Sequence, residues 1–183
     1  MSDFSQLSQT LGTNERTLRR AANLGLLRSA RVSERRAQLP AAERLYFERH
    51  WPVIAALRRA LRTEPNVAMA VLFGSVARGD DDTASDIDVL VDLRDADWSR
   101  MLDLQQRLTT AAGGDVHLVR LSDAERDPTF LAAILEDGRV LCDRGGRWLL
   151  RRGELARTRQ RGERDFADRA RAALAAAHAA AGA

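Results

Sequence analysis

The feature that most constrains this fold is a pair of short apolar segments joined by a polar stretch that ends in two aspartates. The first segment, residues 67–73, runs directly into Gly74 and Ser75, and after ten intervening residues Asp86 and Asp88 lead into the apolar triplet VLV. Short apolar runs bounded by glycine, serine and aspartate are typical of buried β-strands. The sequence therefore predicts two strands joined by a polar loop.

Asp86 and Asp88 have the spacing that places two carboxylates on one side of a strand, with the residue between them facing the core. Two carboxylates completed by substrate phosphate oxygens form a site that suits Mg²⁺. Gly74 lets the backbone turn sharply near a ligand, and Ser75 is a candidate cap for a short helix whose amides face a phosphate. An isolated Asp-x-Asp pair is usually a solvated strand end. The glycine-serine turn and two flanking strands favour a metal and phosphate site instead.

This motif, followed by Arg78 and Gly79, resembles the signature of the polymerase-beta-like nucleotidyltransferases, specifically their minimal branch. The resemblance runs from about Val67 to Cys142, and residues 130–143 are similar to the helix and short strand that close the family's domain. It implies that a nucleoside triphosphate, such as ATP, lies on the glycine-serine turn next to Arg78 and Gly79. It also implies that Mg²⁺ ions bridge the phosphates to the aspartates while a hydroxyl attacks and pyrophosphate leaves.

Members of this family usually carry a third carboxylate on the next strand, and the matching position here is His117. Asp115 and His117 share one face of that strand. Imidazole accepts protons but is a poor ligand for Mg²⁺, which selects oxygen. Three interpretations remain open: His117 is a general base, Asp115 is a substitute ligand, or the site binds a nucleotide and transfers it slowly or not at all. The candidate catalytic residues are thus Asp86, Asp88, His117 and Asp115, with the first two as metal ligands.

The N-terminal part has the pattern of a helix-turn-helix. Residues 4–11 predict one helix, Gly12 and Thr13 a turn, and Asn14 is a good N-cap for a second helix. The stretch resembles DNA-binding helix-turn-helix sequences, and residues 28–39, with four arginines, suit a wing or a basic loop. An ordinary helical hairpin with solvated arginines is the alternative. The second helix offers as candidate DNA contacts Glu15, Arg16, Thr17, Arg19 and Arg20.

Charge is unevenly distributed along the chain. Residues 1–64 hold 12 arginines against 6 acidic groups, residues 65–145 hold 8 against 16, and residues 146–183 hold 9 against 4. The acidic middle repels a triphosphate unless a cation neutralises it, so nucleotide binding should depend on Mg²⁺. The basic ends are where DNA or RNA would be attracted, although such runs are often simply solvated.

These patterns predict an α/β (α+β) chain: a mixed nucleotidyltransferase-fold sheet with flanking helices, plus a small all-helical N-terminal domain. We expect a helix-turn-helix domain, with or without a wing, over residues 1–40, a connecting helix over 41–64, the nucleotidyltransferase domain over 65–145 and an arginine- and alanine-rich helix over 146–183. Pro52 either kinks the connecting helix or starts a new one.

Cysteine usage and hydropathy indicate the compartment. The single cysteine, Cys142, excludes an intramolecular disulfide. The first residues lack the basic and apolar regions of a signal peptide, and no segment has the length of a membrane span. We therefore expect a cytoplasmic protein without a membrane partner, and the sequence leaves its oligomeric state open.

Two functions from different classes agree with the sequence. The first is a Mg²⁺-dependent nucleotidyltransferase that places AMP from ATP on a hydroxyl of a protein or RNA. The resemblance implies an antitoxin that modifies a HEPN-type toxin partner, with the N-terminal helices controlling its own operon. The second is a DNA-binding transcriptional regulator with a catalytically weak or inactive, nucleotide-sensing domain, which His117 favours. Small-molecule modification, as in aminoglycoside nucleotidyltransferases, has no acceptor-pocket signature here.

Overall fold

Helices and strands alternate along most of the chain. The computed structural model describes residues 2–28, 30–33, 36–95 and 97–181. The strands are β1 (Ala30–Ser33), β2 (Arg36–Gln38), β3 (Val67–Phe73), β4 (Ile87–Leu93), β5 (Val116–Arg120) and β6 (Arg139–Asp143). The helices are α1 (Asp3–Thr10), α2 (Glu15–Leu24), α3 (Ala41–Arg62), α4 (Gly74–Arg78), α5 (Trp98–Ala112), α6 (Leu121–Ala124), α7 (Pro128–Asp137), α8 (Arg147–Gly153) and α9 (Leu155–Ala181).

A four-stranded mixed sheet in the order β5-β4-β3-β6 forms the centre of the molecule. β3 is antiparallel to both β4 and β6, whereas β4 is parallel to β5. The predicted mixed sheet with flanking helices is confirmed, and the two strands inferred from the aspartate motif are direct neighbours. In this register Asp88 lies opposite Phe73 on one side and His117 on the other.

Both faces of the sheet are covered, which is why all seven residues of β3 are buried. On one face, Ala70 and Leu72 pack in a cluster with apolar residues of α1, α2, α3 and α5. On the other face, Met69 and Val71 pack with residues of α6, α7 and α8. The N-terminal helices therefore share a hydrophobic core with the sheet.

A buried ion pair joins α3 to β6, and its arginine also binds the turn after β3. Arg139 and Glu43, 2% and 5% exposed, form a two-pronged pair with N–O distances of 2.6 and 3.0 Å. The Arg139 guanidinium also donates to the carbonyls of Ala77 in α4, at 2.6 Å, and Leu26, at 3.2 Å. It lies 3.6 Å from the centre of the Tyr46 ring. Because a buried guanidinium needs all these partners, it fixes α3, α4 and β6 relative to one another.

The N-terminal helices begin and end where local capping signals place them. The Asn14 side chain accepts a hydrogen bond from the Thr17 amide at 2.7 Å, which confirms the predicted N-cap of α2. Gly25, at φ +90°, ends this helix in the left-handed conformation that favours glycine. After α2, β1 and β2 form an antiparallel ribbon within residues 28–39, the segment expected to be a wing or a basic loop. Residues 29, 34 and 35 of that segment lie outside the described part.

Pro52 neither ends α3 nor starts a new helix, because α3 runs unbroken from Ala41 to Arg62. Because proline has no N–H, the carbonyl of Glu48, four residues earlier, loses its helical hydrogen bond. Pro52 and Glu48 are both exposed. Water can therefore satisfy that carbonyl, which lowers the cost of the proline. Within the described ranges, no helix is both long enough and apolar enough to cross a bilayer.

Candidate functional site

Gly74 begins the turn after β3 and touches one of the motif's aspartates. Its φ is +75°, and a Cβ at this position would lie 2.4 Å from Asp88 Oδ2. Any side chain here would push into the carboxylate, so both the turn and the close approach require glycine. Ser75 is not the helix cap that the sequence suggested. It lies inside the five-residue α4, whose N-cap is Phe73 and has no side-chain hydrogen bond.

Asp86 and Asp88 converge on the same imidazole. Nδ1 of His117 lies 3.6 Å from Asp86 Oδ2 and 3.9 Å from Asp88 Oδ1. These distances are too long for hydrogen bonds but short enough for electrostatic attraction. The side chains are 46% (Asp86), 31% (Asp88) and 59% (His117) exposed, so the group is open to solvent and to a ligand.

The more enclosed carboxylate, Asp88, has a perturbed pKa. Partial burial raises the pKa of Asp88 above its ordinary value, and the nearby negative charge of Asp86 adds to this effect. The positive charges of His117 and Arg78 act in the opposite direction and lower it. The negative charge of Asp86 thus makes ionisation of Asp88 less favourable, and a cation bound between the two carboxylates would offset this repulsion.

Comparison with known families and structures bears on this geometry. Residues 56–146 match the family described as polymerase beta, nucleotidyltransferase. The match contains the glycine-serine turn, both aspartates and His117. These residues form a polymerase beta-type nucleotidyltransferase domain.

Solved toxin–antitoxin structures share the fold of this domain. One, solved with AMP-PNP, contains a chain that is 24% identical, with a TM-score of 0.55 over 66% of this chain and 98% of that one. A chain of the MntA-HepT toxin–antitoxin is 22% identical, with a TM-score of 0.51 over 67% of this chain and 97% of its own. A third, from Shewanella oneidensis, holds a tri-AMPylated HEPN toxin with an MNT antitoxin, at 22% identity and a TM-score of 0.51 over 67% and 96% of the two chains. No curated protein matched this chain.

The nucleotidyltransferase domain carries oxygen donors of the kind that Mg²⁺ prefers. Asp86 and Asp88 present two carboxylates beside the open turn at Gly74, which leaves room for phosphate oxygens to complete the coordination. Among the residues that the structure describes, no three histidine, cysteine or acidic side chains are grouped closely enough to hold a metal ion by themselves. The residues therefore fit a cation shared with a phosphate ligand, not a closed protein site.

Asp115 does not join this group. Its side chain is exposed, and its backbone carbonyl accepts a hydrogen bond from the Ile87 amide at 2.8 Å, immediately before β5. No hydrogen bond or ion pair joins its carboxylate to another described residue, whereas His117 approaches both aspartates. The position next to the two carboxylates is therefore occupied by imidazole.

Arg78 and Gly79 lie at the carboxyl end of α4. Arg78 pairs with Asp80 at 3.1 Å. Gly79 has φ +87°, and a Cβ there would lie 3.0 Å from the Tyr46 ring. Gly79 is thus required by its contact with α3, and it shapes the turn through packing.

The acidic loop between α4 and β4 is anchored in a way that the sequence did not reveal. His50 is buried, with Nδ1 2.8 Å from the Tyr46 carbonyl and Nε2 2.8 Å from Asp81 Oδ1. Arg49 also pairs with Asp81, at 2.9 Å. The anchor fixes the loop that leads into Asp86. No local signal predicts it, because an acidic run usually indicates a solvated loop and the contacting residues are 31 positions apart.

The five candidate DNA contacts on α2 differ in their surroundings. Glu15 and Arg19 pair with each other at 2.5 Å across one helical turn, which neutralises both charges locally. Thr17 is half-buried, and its hydroxyl donates to the helix's own N-cap. Arg16 and Arg20 are exposed, without an acidic partner among the described residues. They are the side chains on this helix best placed to reach a phosphate.

Proposed function

We propose that this protein is a Mg²⁺-dependent nucleotidyltransferase that transfers AMP from ATP to a hydroxyl group of a partner protein. The observation that carries the proposal is the contact between Gly74 and Asp88, with Asp86 and His117 beside it. It brings a turn able to approach phosphates and two oxygen donors for a cation to one open site.

In the proposed reaction, the Gly74 turn receives the triphosphate while Asp86 and Asp88 supply the protein ligands for Mg²⁺. When bound, the cation neutralises phosphate charge and stabilises the oxygens that enter and leave during in-line displacement. The acceptor oxygen forms a bond to the α-phosphorus, the bond from that phosphorus to the bridging oxygen breaks, and pyrophosphate leaves.

His117 is the group that takes the proton of the acceptor hydroxyl in this proposal. Its Nδ1 faces the two aspartates, whose negative charges favour a proton on that nitrogen. The other ring nitrogen is then the one that accepts a proton. This proposal assigns to imidazole a proton-transfer role and leaves the metal to oxygen ligands.

The partner proposed for this reaction is a HEPN-type toxin. The support is the shared fold with chains of MntA-HepT toxin–antitoxin structures and of a complex in which the HEPN toxin is tri-AMPylated. ATP as donor is supported by the likeness to a toxin–antitoxin structure solved with AMP-PNP. We place the pair in the cytoplasm, where ATP and Mg²⁺ are both available.

A second candidate function is a DNA-binding regulator whose nucleotidyltransferase domain only senses nucleotide. The observation in its favour is His117, which stands where the third carboxylate is expected and cannot replace it as a Mg²⁺ ligand. DNA binding itself belongs to both candidates, and the exposed Arg16 and Arg20 on α2 support it. The proposed units remain residues 1–40 for DNA, 41–64 as connector, 65–145 for transfer and 146–183 as a C-terminal arm.

Transfer from labelled ATP separates the two candidates. The protein is incubated with α-³²P-ATP and Mg²⁺, with and without the product of the neighbouring reading frame. Label that becomes covalently attached to the partner, and that is lost in Asp88→Asn, supports the transferase. Nucleotide that is retained by the protein without any transfer supports the sensor and contradicts our proposal.

A further inference from the structure

A second cleft lies at the opposite end of β3 from the proposed transfer site. Its volume is about 510 Å³, within the range of small-molecule sites. It reaches Asp143, which pairs with Met69, whereas the transfer site starts after Phe73. Met69 and Phe73 are four positions apart along β3, about 13 Å at the rise of a β-strand. The residues that characterise the cleft are Thr13, Thr17, Trp51, Arg58, Arg59 and Arg62.

Three arginines of α3 give the cleft a concentrated positive charge. Arg58 is half-buried, and its Nε donates to the Leu141 carbonyl at 3.3 Å, which orients the guanidinium. Burial and the neighbouring charge of Arg62 lower the pKa of Arg58. Throughout the described residues, Arg58, Arg59 and Arg62 have no carboxylate within 4.0 Å. The guanidinium groups therefore repel one another without a counter-charge from the protein.

The single acidic residue at the cleft is already engaged. The Asp143 carboxylate accepts hydrogen bonds from the backbone amides of Gly145, Arg147 and Trp148, at 3.2, 3.1 and 3.0 Å. It caps the start of α8 and does not pair with the arginines. The charge of the cleft is thus left for an anion from outside.

The carboxyl end of α3 accounts for only part of this arrangement. Arg59 and Arg62 lie in its last turn, where positive charge interacts favourably with the helix dipole. That effect explains two exposed arginines. It does not explain why Arg58 is half-buried beside them, because burying an unpaired charge is unfavourable unless a ligand compensates for it.

The remaining walls suit the rest of a small ligand. Trp51 is partly exposed, and with Leu24 and Leu141 it gives the cleft an apolar side. An indole face stacks well on flat heterocyclic rings. Across from it, Thr13 and Thr17 carry hydroxyls at the amino-terminal end of α2, where the helix dipole also favours negative charge.

We propose that this cleft binds a phosphorylated small molecule with a flat ring, of which a nucleoside monophosphate is the simplest example. The arginines bind the phosphate and Trp51 contacts the ring. The cleft is bounded by α2 on one side and by β6 of the nucleotidyltransferase domain on the other. A bound ligand therefore bridges the two and restrains α2 relative to the sheet. This site is independent of the proposed transfer reaction.

Titration calorimetry with AMP in EDTA tests the proposal, because chelation removes the cation that the transfer site requires. Arg58→Ala/Arg62→Ala should weaken AMP binding by at least about tenfold, since charge-assisted bonds to phosphate are lost. Arg164→Ala/Arg169→Ala, on the exposed face of α9, removes the same charge and should bind as the wild type does. Adenosine, which lacks the phosphate, should bind at least about tenfold more weakly than AMP.

Further variants test whether a loss of AMP binding comes from misfolding, and whether AMP binds at the transfer site instead of the cleft. Arg62→Ala alone changes an exposed side chain and should fold normally, with weaker AMP binding; thermal melting of each variant checks the fold. AMP binding in EDTA should survive in Asp88→Asn, and its loss there would place the ligand in the transfer site and overturn the proposal. Equal affinity in wild type and Arg58→Ala/Arg62→Ala would overturn it too. The proposal would also be overturned if the wild type did not bind AMP. The same holds if the arginine substitutions weakened binding to duplex DNA but left binding to AMP unchanged.

Discussion

At the scale of single residues, the neighbours of Asp88 determine what the proposed site can do. Gly74 touches its carboxylate, and His117 lies in register with it on the neighbouring strand. The sequence predicted this meeting of turn and aspartate, because both lie at the ends of strands recognisable by local patterns. It did not distinguish Asp115 from His117, since both share a face of β5. The structure distinguishes them, because His117 approaches both aspartates, whereas Asp115 is bonded to Ile87 only through its backbone carbonyl.

Gly74→Ala should abolish Mg²⁺-dependent ATP binding. The new Cβ meets Asp88 Oδ2 at 2.4 Å, and the positive φ adds backbone strain of about 1–2 kcal/mol. Gly113→Ala is the matched control, because Gly113 has φ +70° with nothing within 4 Å of a Cβ. It should lose similar stability by denaturant unfolding and keep ATP binding. Equal ATP affinity in the two variants would show that the contact with Asp88 is unimportant.

His117→Gln should slow transfer by roughly 10²–10⁴-fold with little change in ATP affinity, as expected for a lost general base. Asp115→Asn is the comparison, and it should transfer at the wild-type rate because the Asp115 side chain is exposed and belongs to no metal-ligand group among the described residues. Single-turnover transfer to the partner protein measures both. If Asp115→Asn is inactive while His117→Gln is normal, Asp115 is the substitute ligand and our assignment is wrong.

At the scale of elements, the features set by local sequence were predicted, whereas those set by tertiary surroundings were not. The Asn14 cap and the two strands of the motif follow from capping and periodicity. Ser75 was misplaced because α4 begins two residues earlier than a helix capped by Ser75 would, with Phe73 at the N-cap. The effect of Pro52 was left open because the sequence does not show that Pro52 and Glu48 are exposed to solvent. Such outcomes depend on surroundings that a local pattern does not contain.

If α2 contacts DNA, Arg16 and Arg20, which have no acidic partner among the described residues, should contribute to the affinity. Arg16→Ala/Arg20→Ala should weaken binding to operator DNA and reduce the slope of log affinity against log salt by about 2, one unit for each lost phosphate contact. The same charge removed from α9, in Arg164→Ala/Arg169→Ala, should leave both quantities nearly unchanged. Fluorescence anisotropy over a salt series measures them. An unchanged slope in the α2 variant would exclude these arginines as phosphate ligands.

At the scale of the whole molecule, the N-terminal helices and the sheet are joined by contacts that the sequence did not predict. Arg139 and Glu43 are 96 positions apart, and each belongs to a segment that patterns alone assign to a different unit. Long-range pairing of this kind follows from how the layers pack. The sequence therefore predicted the units and the site, but not how firmly one is attached to the other.

Arg139→Met tests that attachment. It leaves Glu43 buried without its partner and should lower the free energy of unfolding by about 3–5 kcal/mol. Arg139→Met/Glu43→Leu removes both charges and should recover a substantial part of that loss. Urea unfolding followed by circular dichroism measures both variants. A loss below about 1 kcal/mol in Arg139→Met, the usual value for an exposed pair, would show that the pair does not join the units.

The central claim is that Asp86 and Asp88 together hold the cation through which a nucleotide binds, and calorimetry of ATP binding tests it most directly. Wild type should bind ATP with Mg²⁺ and bind it at least about tenfold more weakly in EDTA. Asp86→Asn and Asp88→Asn should each reduce the Mg²⁺-dependent affinity by at least about tenfold, and Asp103→Asn, on the exposed surface of α5, should not. Wild-type ATP affinity in either motif variant would contradict the account.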